Sequence, residues 1–110
     1  MAAIPESVRD LLDRVERRLP HAPLVEKRMF GMVAIMFDGE MIVAAHTDGS
    51  LLVRVHADDD AELMRRPEAS RLSMGGRDMA GGWILVDATG IEDEADLDFW
   101  VEKALERRTR

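Results

Sequence analysis

Residues 28–56 read RMFGMVAIMFDGEMIVAAHTDGSLLVRVH, a run rich in Val, Ile, Met and Phe that is cut by Asp38-Gly39 and again by Asp48-Gly49. Asp-Gly between apolar runs is a strong hairpin signal, because a two-residue type I′ turn needs positive φ at both central positions. The stretch therefore predicts a three-stranded antiparallel meander. Counting outward from two two-residue turns sorts the side chains onto alternate faces. One face collects Val33, Ile35, Ile42, Ala44, His46 and Leu51; the other collects Phe30, Met32, Met36, Met41, Val43 and Leu52. Both are apolar, so whatever covers one leaves the other to be protected as well.

Helices flank the meander. Pro5 suits a first helical position, and Val8, Leu11, Leu12, Val15 and Leu19 repeat at helical spacing up to Pro20. Residues 58–66 predict a short helix with Asp58 and Asp59 as caps, Glu62 as the reciprocal carboxylate and Pro67 as its stop. Strands are expected at Arg71–Met74 and Trp83–Asp87. A last helix is expected over Glu92–Arg107, with Leu97, Trp100, Val101, Ala104 and Leu105 on its apolar side. The order α-β-β-β-α-β-β-α is that of a two-layer α+β domain, an α/β sandwich with an antiparallel sheet, spanning residues 1–110 as one unit.

Composition narrows the functional classes. There is no cysteine, which removes disulfides and thiol chemistry and fits a reducing, cytoplasmic setting. The N-terminus lacks a basic segment followed by an apolar run, and nothing approaches the ~18 uninterrupted apolar residues of a membrane span. A net charge of −7, from 22 acidic and 15 basic residues, argues against direct nucleic-acid binding, which depends on neutralising phosphates. The basic groups Arg14/Arg17/Arg18, Arg65/Arg66 and Arg107/Arg108/Arg110 fall at helix ends, where positive charge suits the dipole.

No catalytic constellation emerges. His46 and His56 fall on opposite faces of the meander and His21 in a loop, so they supply no metal ligand set without cysteine. The methionines divide between faces, which reads as packing rather than as a copper site. Asp58, Asp59 and Asp60 read as helix capping. Ser50 and Ser73 lack both a nucleophile-elbow context and a local base. Residues 73–83, SMGGRDMAGGW, resemble a phosphate cradle in their glycines but run into a strand rather than a helix, so they read as a connection. No metal and no cofactor is expected.

Several stretches in order resemble the TfoX N-terminal domain family: VEKRMFG at 25–31, DGEM at 38–41, LLVRV at 51–55, MGGRDM at 74–79 leading to GWILV at 82–86, and the closing helix with Trp100-Val101. The resemblance covers about residues 8–107. It implies a bacterial protein with a secretion-chaperone-like architecture. Full-length members carry a second, C-terminal domain, and some act as co-activators of natural competence genes; this chain is expected to be a stand-alone N-terminal domain. The family brings no catalytic residues to transfer.

The expected function is a non-enzymatic interaction or regulatory module that binds a protein partner or a second copy through Phe30, Met32, Met36 and Met41. The rival is a domain, or an enzyme, that binds an anionic small molecule where Arg28, Arg54 and Arg77 converge, since arginine holds oxyanions by forked hydrogen bonds.

Overall fold

The computed structural model describes residues 5–19, 24–29, 31–74, 76–79 and 81–109. The elements are α1 (Glu6–Glu16), β1 (Leu24–Met29), β2 (Met32–Phe37), β3 (Glu40–His46), β4 (Leu51–Arg54), α2 (Ala57–Leu63), β5 (Ala69–Ser70), β6 (Ser73–Met74), β7 (Arg77–Asp78), β8 (Trp83–Val86), a 3₁₀ turn (Ala88–Gly90) and α3 (Glu94–Thr109). Six strands form one antiparallel sheet in the order β1-β2-β3-β4-β8-β5, and β6-β7 make a separate hairpin. The α+β class and the expected succession of helices and strands are present. The structure adds β1, which folds back on β2 across Gly31 at φ +75°; of the strand expected at Arg71–Met74 only Ser73–Met74 is extended, as β6, while the strand that joins the main sheet, β5, lies just ahead of it at Ala69–Ser70.

The register of β3 departs from the count. Asp38 and Gly39, at φ 54° and 81°, make the expected type I′ turn, so Phe37 faces Glu40 and Met36 faces Met41. A β-bulge then places Ile35 opposite Val43, leaving Ile42 as the extra residue. Ile42 and Val43 consequently both enter the helix-side core, Ala45 joins them, and Ala44 turns to the other face with His46, which pairs with Met32. The second turn also differs: His46 N–H bonds the Ser50 carbonyl at 2.9 Å around Thr47-Asp48-Gly49, with Gly49 at φ 92°. The Asp48 carboxylate accepts from the Ser50 hydroxyl at 2.5 Å and from the Ser50 amide at 2.8 Å, which together hold the three-residue loop closed and the carboxylate below its ordinary pKa. Loop and bulge each shift the pairing by one, so the shifts cancel and β4 recovers the expected faces.

One face of the sheet carries the helices. Leu11, Leu12 and Val15 of α1 and Leu97, Trp100 and Val101 of α3 pack on Val33, Ile35, Val53 and Ile84, with Trp100 fully buried. Arg14 ties α1 to the start of α3 by donating to the carbonyls of Ile91 at 2.9 Å and Glu92 at 3.1 Å and to Glu94; Arg18 pairs with Glu94 and Asp98. These arginines thus bridge helices, where the sequence predicts only a match to the dipole. On the other face Met32, Ala34, Ala44 and Leu52 form a smaller buried cluster, flanked by half-buried Met29, Met36, Met41, Leu72, Met79 and Trp83. Leu72 and Met79 belong to the segment around the β6-β7 hairpin, which covers part of this face, and the Met79 amide bonds the Leu72 carbonyl at 2.9 Å.

Candidate functional site

At one end of the sheet the C-terminal turn of α3 meets the β2-β3 turn. Arg108 lies 4.2 Å over the Phe37 ring, donates to the Phe37 carbonyl at 3.2 Å and to Glu40 Oε2 at 3.0 Å, and stands 3.8 Å from Asp38. Arg107 reaches the same Glu40 oxygen at 3.6 Å. Arg54, at the end of β4, lies 5.0 Å over the Trp83 ring; burial and the charge of Arg107 lower its pKa against the opposing pull of Glu40. A cleft of about 420 Å³ opens here, lined by Glu40, His56, Ala57, Arg107 and Arg108.

His56 also starts α2. Its Nδ1 accepts the Asp58 amide at 3.1 Å, so the cap is His56 rather than the expected Asp58 or Asp59. The helix begins one residue earlier than the acidic run indicates, and the imidazole occupies the position from which a side chain reaches the second helical amide. In its neutral form the ring therefore carries its proton on Nε2. His46 uses the same device on the amide of Asp48 at 3.2 Å.

Asp60, only 8% exposed, is no cap either. Arg71 grips both of its carboxylate oxygens and donates onward to the Trp83 carbonyl at 2.9 Å; the Gly82 amide donates to Asp60 Oδ1 at 2.8 Å. The guanidinium holds the carboxyl below its usual range despite burial. This clasp accounts for Gly81-Gly82: Gly82 stands at φ 95° with Val55 O 3.3 Å from where a Cβ would be, so its amide reaches a buried carboxylate rather than a ligand.

A second cleft, of about 460 Å³, lies between α2 and α3 beside Asp59, Glu62, Arg65, Arg66, Phe99 and Lys103. Arg66 stacks 4.3 Å over Phe99 and pairs with Glu68 at 2.9 Å, and Glu68 accepts from the Trp100 indole at 3.3 Å. Lys103 stands 5.5 Å from the Phe99 ring and pairs with Glu106 at 3.4 Å. Among the described residues no group of three or more His, Asp or Glu is placed to hold a metal ion.

The three arginines expected to converge are distributed. Arg28 pairs with Val33 and so lies on the helix side of β1, whereas Arg54 lies three strand spacings away, roughly 14 Å, and contacts Trp83 of the methionine side. Arg77 sits exposed on β7. Of the methionine set, Met32 is buried while Met36 and Met41 stand half-buried side by side across β2 and β3; Phe30 lies outside the described residues.

Helices on one face of a six-stranded antiparallel sheet define a two-layer α+β domain. The chain belongs to the TfoX N-terminal domain family, whose pattern it matches over residues 17–107. No curated protein and no solved structure matches it. No helix among the described residues is long and apolar enough to cross a membrane.

Proposed function

We infer that this domain is a non-enzymatic interaction module, in keeping with the family's link to competence regulation, and that its partner is a second copy of the chain. The supporting observation is the edge strand β1. It carries Val25, which at 59% exposure is the large hydrophobic residue most open to solvent among those described, beside the half-buried methionine cluster. An open edge invites another strand.

The β1 sequence LVEKRM is self-complementary about a two-fold axis at Lys27. In antiparallel pairing Glu26 meets Arg28 of the other copy on the helix side, and Val25 meets Met29 on the methionine side. Cross-strand pairs of these kinds each contribute about 0.2–1 kcal/mol, whereas the two Lys27 ammonium groups oppose each other at the axis. Association then extends the sheet and adjoins the two methionine faces. Light scattering across a concentration series tests it. Dimers are expected, weakened by Val25→Lys and strengthened by Lys27→Thr; a strict monomer at millimolar concentration, or a dimer indifferent to both changes, sinks the reading.

A further inference from the structure

We propose that Met29, Met32 and His46 form a binding site for a soft monovalent cation, Cu(I), on the methionine face of the sheet. The site lies within one copy of the chain, so it does not depend on self-association.

The register brings the three ligands together. Counted from the sequence, the methionines divide between the two faces, which removes any shared thioether site; in the folded sheet Met29, Met32, Met36 and Met41 all belong to one face. Met29 stands opposite Met32 across β1 and β2, and Met32 stands opposite His46 across β2 and β3. The three residues therefore make one row across three strands, beside the β1-β2 turn. Residues directly opposite in antiparallel strands hold their Cβ atoms about 4.5–5.5 Å apart, so two flexible thioether arms and an imidazole can close on a single ion. The bulge is what delivers His46: a regular count from Asp38-Gly39 places it on the helix side, with Ile35 and Ile42.

The chemistry of the row selects the ion. Thioether sulfur is a soft, uncharged donor that suits Cu(I), and imidazole suits copper as well, whereas harder cations are held by carboxylates and carbonyls. Imidazole and carboxylate alone give no ligand set among the described residues; the thioethers complete one. Ala34, Ala44 and Leu52 lie beside the row as a buried apolar floor that offers no side-chain oxygen to a harder ion. Met32 is buried, while Met29 and His46 are half-buried and leave an approach from solvent. The imidazole is already oriented: its Nδ1 lies 3.2 Å from the Asp48 amide and 3.1 Å from Asp48 Oδ1, and no hydrogen bond among the described residues engages Nε2. With the ion on Nε2 the ring proton sits on Nδ1 and Asp48 Oδ1 accepts it, the carboxylate behind the ring that fixes a metal-bound histidine. That carboxylate is itself anchored by the Ser50 amide and hydroxyl.

The test is a titration of the full chain with Cu(I), supplied without oxygen as its acetonitrile complex and read by the methionine methyl and histidine ring NMR signals. Ag(I) repeats it in air. The Met29, Met32 and His46 signals should shift and saturate at one ion per chain, while the Met36 and Met41 methyls, four residues along the strand and roughly 13 Å away, should not. Met29→Leu and His46→Gln should each weaken binding at least about tenfold, the loss that even the outer partners of a metal ligand cause. Met36→Leu, which removes a thioether from the same face outside the row, should leave it unchanged. Val25→Lys, which weakens the dimer inferred above, should bind the ion as the parent does, so failure of that dimer and failure of this site are told apart. The proposal falls if no saturable shift appears by about 100 μM ion, if Met36→Leu costs as much as Met29→Leu, if Zn(II) binds the same residues as tightly, or if Val25→Lys abolishes binding. Leucine keeps the volume of methionine, and site variants on two different strands keep the result readable should one of them fail to fold.

Discussion

The two faces of this sheet solve the same burial problem with different materials. The helix side is closed by branched and aromatic side chains, with Trp100, Leu12, Ile35 and Ile84 wholly buried, and its periphery is laced by Arg14 and Arg18. The methionine side has a small buried centre and a rim of Met29, Met36, Met41 and Trp83 that remains half-open beneath one short hairpin. Closely packed branched residues specify a single arrangement, whereas unbranched thioether chains adapt to whatever lies against them. One face is therefore built to hold the domain together, and the other retains a surface able to repack.

That contrast breaks most sharply at Trp100. It is the largest fully buried side chain, packed at 5.4 Å edge-to-face on Phe99, and its indole donates to Glu68. Trp100→Ala should cost about 3–5 kcal/mol in urea unfolding. A loss below about 1 kcal/mol would mean that the helix face is no better specified than the methionine face.

The Asp60–Arg71 clasp tests the second face. Arg71 directly precedes Leu72, so the clasp pins the start of the segment that covers part of the methionine rim. Asp60→Asn removes the charge that answers Arg71 and weakens acceptance from Gly82, with an expected cost of about 2–3 kcal/mol. The same variant should bind more of a hydrophobic dye in its folded state, as the cover loosens over Met36 and Met41. Unchanged dye binding would show that the hairpin is held by packing alone.

How much of this was legible in advance depended on whether a signal was local. Asp38-Gly39 announces its turn because both φ values are positive, and Met36 and Met41 share a face because they adjoin that turn, ahead of the bulge. Ile42 gives no warning of the bulge, being chemically like its neighbours. Asp48-Gly49 marks the place of a turn but not its length, because the Asp48 carboxylate bonds Ser50 and draws out a three-residue loop. The Asp60 clasp looks like helix capping until Arg71, eleven positions on, folds against it. Arg54 could be singled out by its sequence, but its neighbours Arg107 and Arg108 lie more than fifty residues away and read as a helix terminus. Only the packing of α3 on the β2-β3 turn brings them together.

The smallest expected effect sharpens the comparison at the sheet edge, where α1 meets β1 through charge rather than packing. Arg9 grips Glu26 and stands 3.8 Å from Glu16. Burial, the hydrogen bond to Glu26 and the Glu26 charge push the Glu16 carboxyl up to about 7, while Arg9 holds Glu26 well below the ordinary range. In the folded chain Glu16 thus keeps a proton that the unfolded chain releases near pH 4.5. The folded state binds more protons in this interval, so stability falls as pH rises from about 4.5 to about 7. Both carboxylates are partly exposed, and solvent screening reduces the effect to about 1 kcal/mol. Glu16→Gln stays neutral at every pH and should flatten the decline, leaving the variant more stable than the parent at pH 7 and nearly equal to it at pH 4.5. Urea unfolding at the two pH values measures this directly, and parallel curves for parent and variant would mean that Glu16 ionises freely at this edge. Because Glu26 also faces Arg28 of a second copy in the pairing inferred for β1, the variant should dimerise as the parent does: Glu16 governs how firmly the edge strand is held to α1, not the charges it presents outward.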